Sequence, residues 1–288
     1  MDSTRHCINF PSSDPKSLIQ IQTFLNGEFS IVLDPQLTKT TIDLVIKYTD
    51  STTLFLLQLL ADALRRQHCN VHTLYVPYMP YMRQDRTTTN NHALSAKVVA
   101  QILDWFAATS IRLLHPHSSQ LQGFFVTNVE HVDPTAYYAD HILSSKKSSD
   151  QMCVVAPDAW AVKSCRLLAD YVGADLVCVE KTRQAWKTSK SLQLWWDVKW
   201  KACVIYDDMI DGGGTIAWAL NLLHDAWVWN VVIYITHGLF SGYAHTKFDT
   251  LYQQGRFEFL YVSDSLERHE QYSRKKILPI VDDVLCVW

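Results

Sequence analysis

The chain has 288 residues, of which 48% are hydrophobic and 19% charged, and its formal net charge is -3. This length and apolar content suit one large or two ordinary domains with a buried core, and they exclude wholesale disorder. Without a basic excess or a long apolar run, neither nucleic acid nor a membrane is expected as a partner. The seven scattered cysteines form no C-x-x-C pair and the N-terminus is polar, which predicts a cytoplasmic protein with reduced thiols.

Short β-branched runs alternate with helical patterns along the chain. In the first half, strands are predicted at 42–48, 71–78 and 111–114, and helices at 53–68 and 93–106. In the second half, strands are predicted at 152–156, 175–179, 202–206 and 231–236, and helices at 160–172 and 215–224. Strands separated by helix-length segments indicate right-handed β-α-β units. We therefore predict an α/β protein with two domains, 1–135 and 136–288, each with a mainly parallel sheet flanked by helices.

The clearest local pattern is an acidic, glycine-rich segment, VIYDDMIDGGGT, at 204–215. A predicted strand ends just before Asp207 and Asp208, and a helix is predicted to follow a loop made of Asp211, Gly212, Gly213, Gly214 and Thr215. Glycines let backbone N–H groups face a phosphate, and a helix N-terminus adds partial positive charge. Carboxylates at a strand end can bind ribose hydroxyls or hydrated Mg²⁺. A sugar-phosphate site is favoured over a plain glycine-rich turn in which Thr215 caps the helix. The segment is not a P-loop, because no Lys follows its glycines.

This segment resembles the ribose-phosphate loop of type I phosphoribosyltransferases and of phosphoribosyl pyrophosphate synthetases (ribose-phosphate pyrophosphokinases). Five further segments resemble the synthetases and stand in family order: FLNGE at 24–28, PYMPYMRQDRTTTNNHALSAK at 77–97, HPHSSQLQGFF at 115–125, VVAPDAWAVK…VEKTR within 154–183, and THGLFSG at 236–242. The chain is thereby identified as a divergent, compact member. The resemblance implies two type I phosphoribosyltransferase-like domains, an N-terminal ATP-binding domain and a C-terminal ribose-phosphate-binding domain.

The resemblance also implies an activity and a set of site residues. The family transfers the β,γ-diphosphoryl group of MgATP to the anomeric hydroxyl of ribose 5-phosphate and releases AMP. Lys181 and Arg183 match the family residues that bind the transferring phosphates, and His117 and Asp158 match those that bind Mg²⁺, the implied cofactor. The ATP-binding set is Phe24, Asn26, Glu28, Arg83, Gln84 and Asp85, with adenine between Phe24 and Arg83. Asp207 and Asp208 hold the ribose hydroxyls, and residues 211–215 hold the 5′-phosphate. A homo-oligomer is implied, and we expect a dimer, with the family's hexamer as the alternative.

Several positions depart from the family pattern and leave the acceptor open. Gly212 replaces a Thr of the phosphate loop, and Trp160 replaces a Gly beside the predicted ribose site. Asn26 and His115 each replace an Asp, and the stretch after RQDR lacks its usual basic residues. The acceptor is then either ribose 5-phosphate or ADP-ribose. The diphosphate linkage of ADP-ribose lacks the terminal phosphate oxygens that the missing Thr would bind. It also needs room to leave the loop.

We favour ADP-ribose slightly, with Trp160 stacking on the distal base. The product would be ADP-ribose pyrophosphate, as in the viral NAD-rebuilding enzymes of this broader family. A phage origin would place the protein in the host cytoplasm.

Two other functions compete with this interpretation. A salvage phosphoribosyltransferase would share the 204–215 loop but would not need the other five segments. A catalytically silent regulatory paralogue, which binds a true synthetase, fits the altered ATP-side loop. The retention of Lys181, Arg183, His117 and Asp158 argues against it.

Overall fold

The structure is a computed structural model that describes residues 6–87, 89, 91–145, 151–181, 192–194, 198–266 and 275–286. The chain divides into two compact units. The first comprises Met1–Val132, Ser265–Glu267 and Val281–Trp288, and the second comprises Asp133–Asp264 and Arg268–Ile280. The division falls close to the predicted boundary after 135, but the residues from Val281 onward group with the first unit, whereas the sequence interpretation assigned them to the second.

The first unit contains a parallel sheet of β1 (His6–Phe10), β4 (Thr41–Ile46), β5 (Asn70–Val76), β6 (Ser110–Leu114) and β7 (Val129–Val132), in that spatial order. Helices α1 (Thr52–Arg66) and α2 (Ser95–Asp104) lie between strands in the chain. The α1 residues Leu56, Leu57, Leu60, Ala61 and Leu64 are buried at helical spacing, so this helix packs through one apolar face. A separate antiparallel hairpin joins β2 (Ile19–Thr23) and β3 (Phe29–Leu33).

A short π-helical segment, Val281–Leu285, completes the first unit. The Arg112 guanidinium of β6 donates to the carbonyl oxygen of Leu285 at 2.7 Å. Its Nε also lies 3.0 Å from a carboxylate oxygen of Glu130 on β7. The last described residues therefore lie against the sheet that the first residues build.

The second unit contains a seven-stranded sheet. Its helices are α3 (Thr135–Ser145), α4 (Val162–Val172), α5 (Gly214–Asp225) and α6 (Ala244–Gln253). Its strands are β8 (Met152–Ala156), β9 (Asp175–Lys181), β10 (Leu192–Leu194), β11 (Ala202–Ile210), β12 (Asn230–Gly238), β13 (Phe259–Ser263) and β14 (Lys275–Leu278). The spatial order is β10-β9-β8-β11-β12-β13-β14, and all pairs are parallel except the antiparallel pair β10–β9.

The order of strands reverses inside the second sheet. From β8 the chain moves outward to β9, and it then returns to place β11 on the other side of β8 before continuing to β12 and β13. In open α/β sheets such a reversal opens a crevice at the carboxyl ends of the two diverging strands, and ligands bind there. The first sheet has no such reversal, because β4, β5, β6 and β7 follow one another in a single direction.

Apolar side chains on both faces hold the second sheet together. All five residues of β8 are buried, as expected for a central parallel strand. Tyr138 of α3 is buried with its ring 5.5 Å from that of Tyr206 and 5.6 Å from that of Tyr234, and its hydroxyl donates to the Ile235 carbonyl. In the part of the chain that the structure describes, no helix combines the length and hydrophobicity needed to cross a bilayer.

Candidate functional site

The acidic pair Asp207–Asp208 lies at the crevice between β8 and β11. The prediction that the strand ends before these carboxylates is wrong, because β11 continues to Ile210. Pairing with β12 extends beyond them, through Asp207↔Ile235 and Ile210↔Gly238. Pairing with β8 stops at Ile205↔Val155. The carboxylates are therefore supported on the β12 side, while the ladder is open on the β8 side.

Two neighbouring carboxylates act on Asp207 at this crevice. The amide of Asp208 donates to the Asp207 carboxylate at 3.0 Å. Burial raises the pKa of Asp207 well above its usual value, and the negative charges of Asp208 and Asp158 raise that pKa further. Asp158 follows β8, and its carboxylate accepts hydrogen bonds from the amides of Trp160 at 2.9 Å and Ala161 at 3.2 Å. These two bonds fix the orientation of Asp158 just before α4.

The glycine loop leads directly into α5. Gly213 has a φ of 67°, in the left-handed region, and a Cβ on it would collide with the Phe248 ring of α6. Only glycine meets both conditions without strain. A Cβ on Gly212 or Gly214 would meet open space. The helix is anchored by the buried residues Ile216, Ala219, Leu220 and Leu223, so its N-terminal turn begins at this loop. The arrangement suits a bound phosphate.

A lysine missed by the sequence analysis contacts this loop. The Lys247 ammonium on α6 donates to the Gly212 carbonyl at 2.6 Å. The amide of Ser241, in the segment before α6, donates to the Asp211 carbonyl at 3.1 Å. The predicted elements did not include α6, and the residues around Lys247 (HTKFDT) carry no motif, so no sequence signal pointed to this contact.

The residues predicted to bind ATP fall into two loops of the first unit. Phe24, Asn26 and Glu28 form the tip of the β2–β3 hairpin, where the Phe24 amide donates to the Glu28 carbonyl at 2.8 Å and the Asn26 side chain accepts from the Glu28 amide at 3.1 Å. The Phe24 ring is half exposed. The other three residues, Arg83, Gln84 and Asp85, follow the carboxyl end of β5.

The Asp85 carboxylate accepts from the Gln120 amide group at 2.6 Å. Gln120 belongs to the segment predicted to bind metal, so this bond joins two of the segments that the sequence singled out. The ATP role of both loops stays a prediction.

The remaining predicted site residues lie on separate elements. His117 follows β6 in the first unit, and its amide donates to the Met82 sulfur at 3.4 Å. Trp160 follows β8 and is 70% exposed. Lys181 is the last residue of β9, and Arg183 lies outside the described residues. His117 and Asp158 belong to different units, so their shared Mg²⁺ ion stays a prediction.

The carboxylates at the crevice fit a magnesium ion that arrives with its phosphate ligands. No group of three or more His, Cys, Asp and Glu side chains in the described ranges is arranged to hold a metal ion unaided. Mg²⁺, however, commonly takes one or two carboxylates, with phosphate oxygens and water completing its shell. Burial and then the negative charges of Asp208 and Asp158 raise the pKa of Asp207, and a divalent cation would neutralise those charges.

Comparison with known proteins gives the same assignment in sequence and in structure. Residues 13–106 match the N-terminal domain of ribose phosphate pyrophosphokinase. The ribose-phosphate pyrophosphokinase of Mycoplasma genitalium is 30% identical over 298 aligned residues, which cover 98% of this chain and 89% of that protein. The chain belongs to the ribose-phosphate pyrophosphokinase family. The Wolinella succinogenes ribose-phosphate pyrophosphokinase is also 30% identical, over 92% of this chain and 85% of that one.

A solved member of the ribose-phosphate pyrophosphokinase family has the same fold. The crystal structure of phosphoribosylpyrophosphate synthetase from Mycobacterium smegmatis superposes with a TM-score of 0.82 at 29% identity, covering 92% of this chain and 86% of that one. The predicted family, the α/β fold with phosphoribosyltransferase-like domains, and the enzyme class of diphosphotransferase are thereby confirmed.

Proposed function

We propose that this pyrophosphokinase transfers the β,γ-diphosphoryl group of MgATP to the anomeric hydroxyl of a ribose 5-phosphate moiety and releases AMP. The observation that carries the proposal is the crevice at the β8–β11 reversal, where Asp207 and Asp208 stand beside a glycine loop and a helix N-terminus. A sugar phosphate needs acceptors for its hydroxyls and N–H donors for its phosphate, and these two features supply them.

In the proposed complex, the second unit holds the acceptor. The Asp207 and Asp208 carboxylates accept hydrogen bonds from the ribose hydroxyls, and the backbone N–H groups of residues 211–215 bind the 5′-phosphate. Anchoring the sugar at both ends fixes its anomeric oxygen for attack on the β-phosphorus of ATP. The anomeric hydroxyl loses its proton to water as a bond forms between these two atoms, and the bond from the β-phosphorus to the oxygen that bridges it to the α-phosphorus breaks, so that AMP leaves.

Diphosphoryl transfer depends mainly on positioning and charge neutralisation. Lys181 and Arg183 are proposed to bind the transferring phosphates, and Lys181 ends a strand whose neighbour, β8, leads to Asp158. His117 and Asp158 are the proposed protein ligands of Mg²⁺, which when bound neutralises the phosphate oxygens. In the first unit, Phe24 and Arg83 are proposed to stack on adenine, while Asn26, Glu28, Gln84 and Asp85 line the same pocket.

We propose ADP-ribose as the preferred acceptor, with ribose 5-phosphate as the competing one. The space beside Gly212 supports this choice, because a Cβ there has no neighbour within 4 Å and a second phosphate has room to leave the loop. Trp160 is exposed after β8 and offers a surface on which the distal base can stack. The product would be ADP-ribose pyrophosphate, an intermediate suited to NAD synthesis.

The test is AMP release from ATP and Mg²⁺ with each acceptor, followed by mass spectrometry of the products. We expect higher kcat/KM with ADP-ribose, and complete loss of AMP release on adding EDTA. Gly212→Thr, which adds a hydroxyl and fills the open space, should shift the preference toward ribose 5-phosphate. Comparable or faster turnover of ribose 5-phosphate by the unaltered protein would refute the extended acceptor.

The same assay separates the enzyme from a regulatory paralogue. Absence of AMP with every ribose phosphate, together with binding to an active synthetase, would establish the regulator instead. We also propose a cytoplasmic homodimer, and light scattering of the purified protein distinguishes this dimer from a hexamer.

A further inference from the structure

A cation that the proposed mechanism does not use contacts the backbone of the phosphate loop. Lys247 donates to the Gly212 carbonyl oxygen at 2.6 Å. Two further contacts hold α6 beside the loop: the Ser241 amide bonds to the Asp211 carbonyl at 3.1 Å, and the Phe248 ring fills the position that a Cβ of Gly213 would need. Lys247 therefore reaches the loop from a helix that is itself held in place.

The peptide group between Gly212 and Gly213 has few constraints of its own. A trans peptide is planar, so the Gly212 carbonyl and the Gly213 N–H point in opposite directions. Neither residue has a side chain, and the surroundings of Gly212 are open. Since glycine adopts φ angles of both signs, rotation of this peptide by half a turn meets little local resistance. That rotation would direct a carbonyl oxygen, instead of an N–H donor, toward a bound phosphate.

We propose that Lys247 is a positioning residue that holds the Gly212 carbonyl on the α6 side and so directs the Gly213 N–H toward the sugar phosphate. This inference rests on the proposed function, because it takes the 211–215 loop as the phosphate site. An ammonium-to-carbonyl bond is charge-assisted and stronger than a neutral one. The ammonium also places a positive charge behind a loop that carries Asp211 and receives a dianionic phosphate.

The test is calorimetric binding of ribose 5-phosphate, which requires no turnover. Lys247→Met removes the donor, and Lys247→Arg keeps one. Lys199→Met is the matched control. Lys199 is exposed just before the amino end of β11, whereas the glycine loop follows the carboxyl end of the same strand. We expect Lys247→Met to weaken ribose 5-phosphate binding about tenfold, in line with the loss of one charged hydrogen bond. Its Kd for MgATP should stay within about twofold, and Lys247→Arg should recover most of the affinity.

The outcomes separate this inference from the proposed function. Unchanged ribose 5-phosphate binding by Lys247→Met, or an equal loss in Lys199→Met, overturns the positioning role even if the protein releases AMP. A loss that Lys247→Arg does not repair also overturns it, because Arg supplies the same kind of donor. Failure of the unaltered protein to release AMP refutes the proposed reaction, and the Kd comparison then still decides the role of Lys247. The positioning role is supported if Lys247→Met weakens ribose 5-phosphate binding but not MgATP binding, and Lys247→Arg recovers the lost affinity.

Discussion

The backbone amide of Asp208 donates to the carboxylate of Asp207 at 3.0 Å, and both carboxylates lie within β11 rather than in the loop that follows it. A strand position gives the pair a rigid support, which suits the recognition of adjacent hydroxyls. The same position brings negative charge into a half-buried environment, where Asp158 adds to it. The site is therefore expected to cost stability while no ligand or cation is bound.

Replacing Asp207 by Asn should stabilise the ligand-free protein and abolish AMP release. The pKa of Asp207 is raised in the folded state, so above the pKa of the unfolded chain, near 4, the folded state retains a proton that the unfolded state has lost. The contribution of Asp207 to the free energy of unfolding therefore falls as pH rises through the raised pKa of the folded state.

Asn carries no charge, so the gain in Tm should be larger at pH 8 than at pH 4. A gain of about 1 kcal/mol would correspond to roughly 2–4 °C for a domain of this size. Calorimetry at both pH values measures it, with Asp170→Asn on the exposed part of α4 as the control. An equal shift at the two pH values would contradict the electrostatic cause.

Alanine at Gly213 should destabilise the protein, while alanine at the neighbouring Gly212 should not. At Gly213 a methyl group meets both the left-handed φ and the Phe248 ring, whereas at Gly212 it meets open space. The left-handed conformation alone costs roughly 1–2 kcal/mol for a residue with a Cβ. Urea denaturation of the two variants compares them directly, and equal stability would show that the Gly213–Phe248 contact gives way at little cost.

Replacing Lys181 by Ala should lower turnover by roughly 10²–10³, by analogy with the loss of a single charge-stabilising donor in other enzymes. The loss should appear mainly in kcat, because the lysine is proposed to act on the transferring phosphates. Steady-state AMP release measures it, with Lys199→Ala as a control of equal charge change. Turnover equal to that of the unaltered protein would remove Lys181 from the mechanism.

Replacing Trp160 by Ala should raise the KM for ADP-ribose about tenfold and the KM for ribose 5-phosphate by less than about twofold, since loss of one base stack costs roughly 1–3 kcal/mol. Trp200→Ala is a close control, because that indole is 63% exposed, against 70% for Trp160, and lies just before the amino end of β11. Equal effects of Trp160→Ala on both acceptors would assign the indole a structural role.

The sequence predicted the central elements well because their signals are local. The predicted strand at 152–156 coincides with β8, and the predicted helix at 215–224 differs from α5 by one residue at each end. Both elements are bounded by changes in polarity. The predicted end of β11 was wrong because the end of a strand depends on its neighbours: only the pairing with β12 shows that Asp207 and Asp208 are within a strand.

The candidate site was predicted as a set of positions but not as an arrangement. The motif at 204–215 supplied the carboxylates and the glycines, yet the influence of Asp158 on the pKa of Asp207 depends on β8 lying next to β11. Lys247 was missed for the same reason, because its bond to Gly212 joins residues 35 positions apart. Such contacts follow from the order of strands and from helix packing, which a motif does not contain.

The bond between Arg112 and the Leu285 carbonyl has a consequence for biosynthesis. Since the first unit uses residues from Val281 onward, a ribosome that has made only β1 to β7 has not yet supplied all of that unit. We therefore expect the amino-terminal half to mature only after the residues from Val281 onward have been translated. A fragment cut after Val132 should accordingly be a poor substitute for this half in the native molecule.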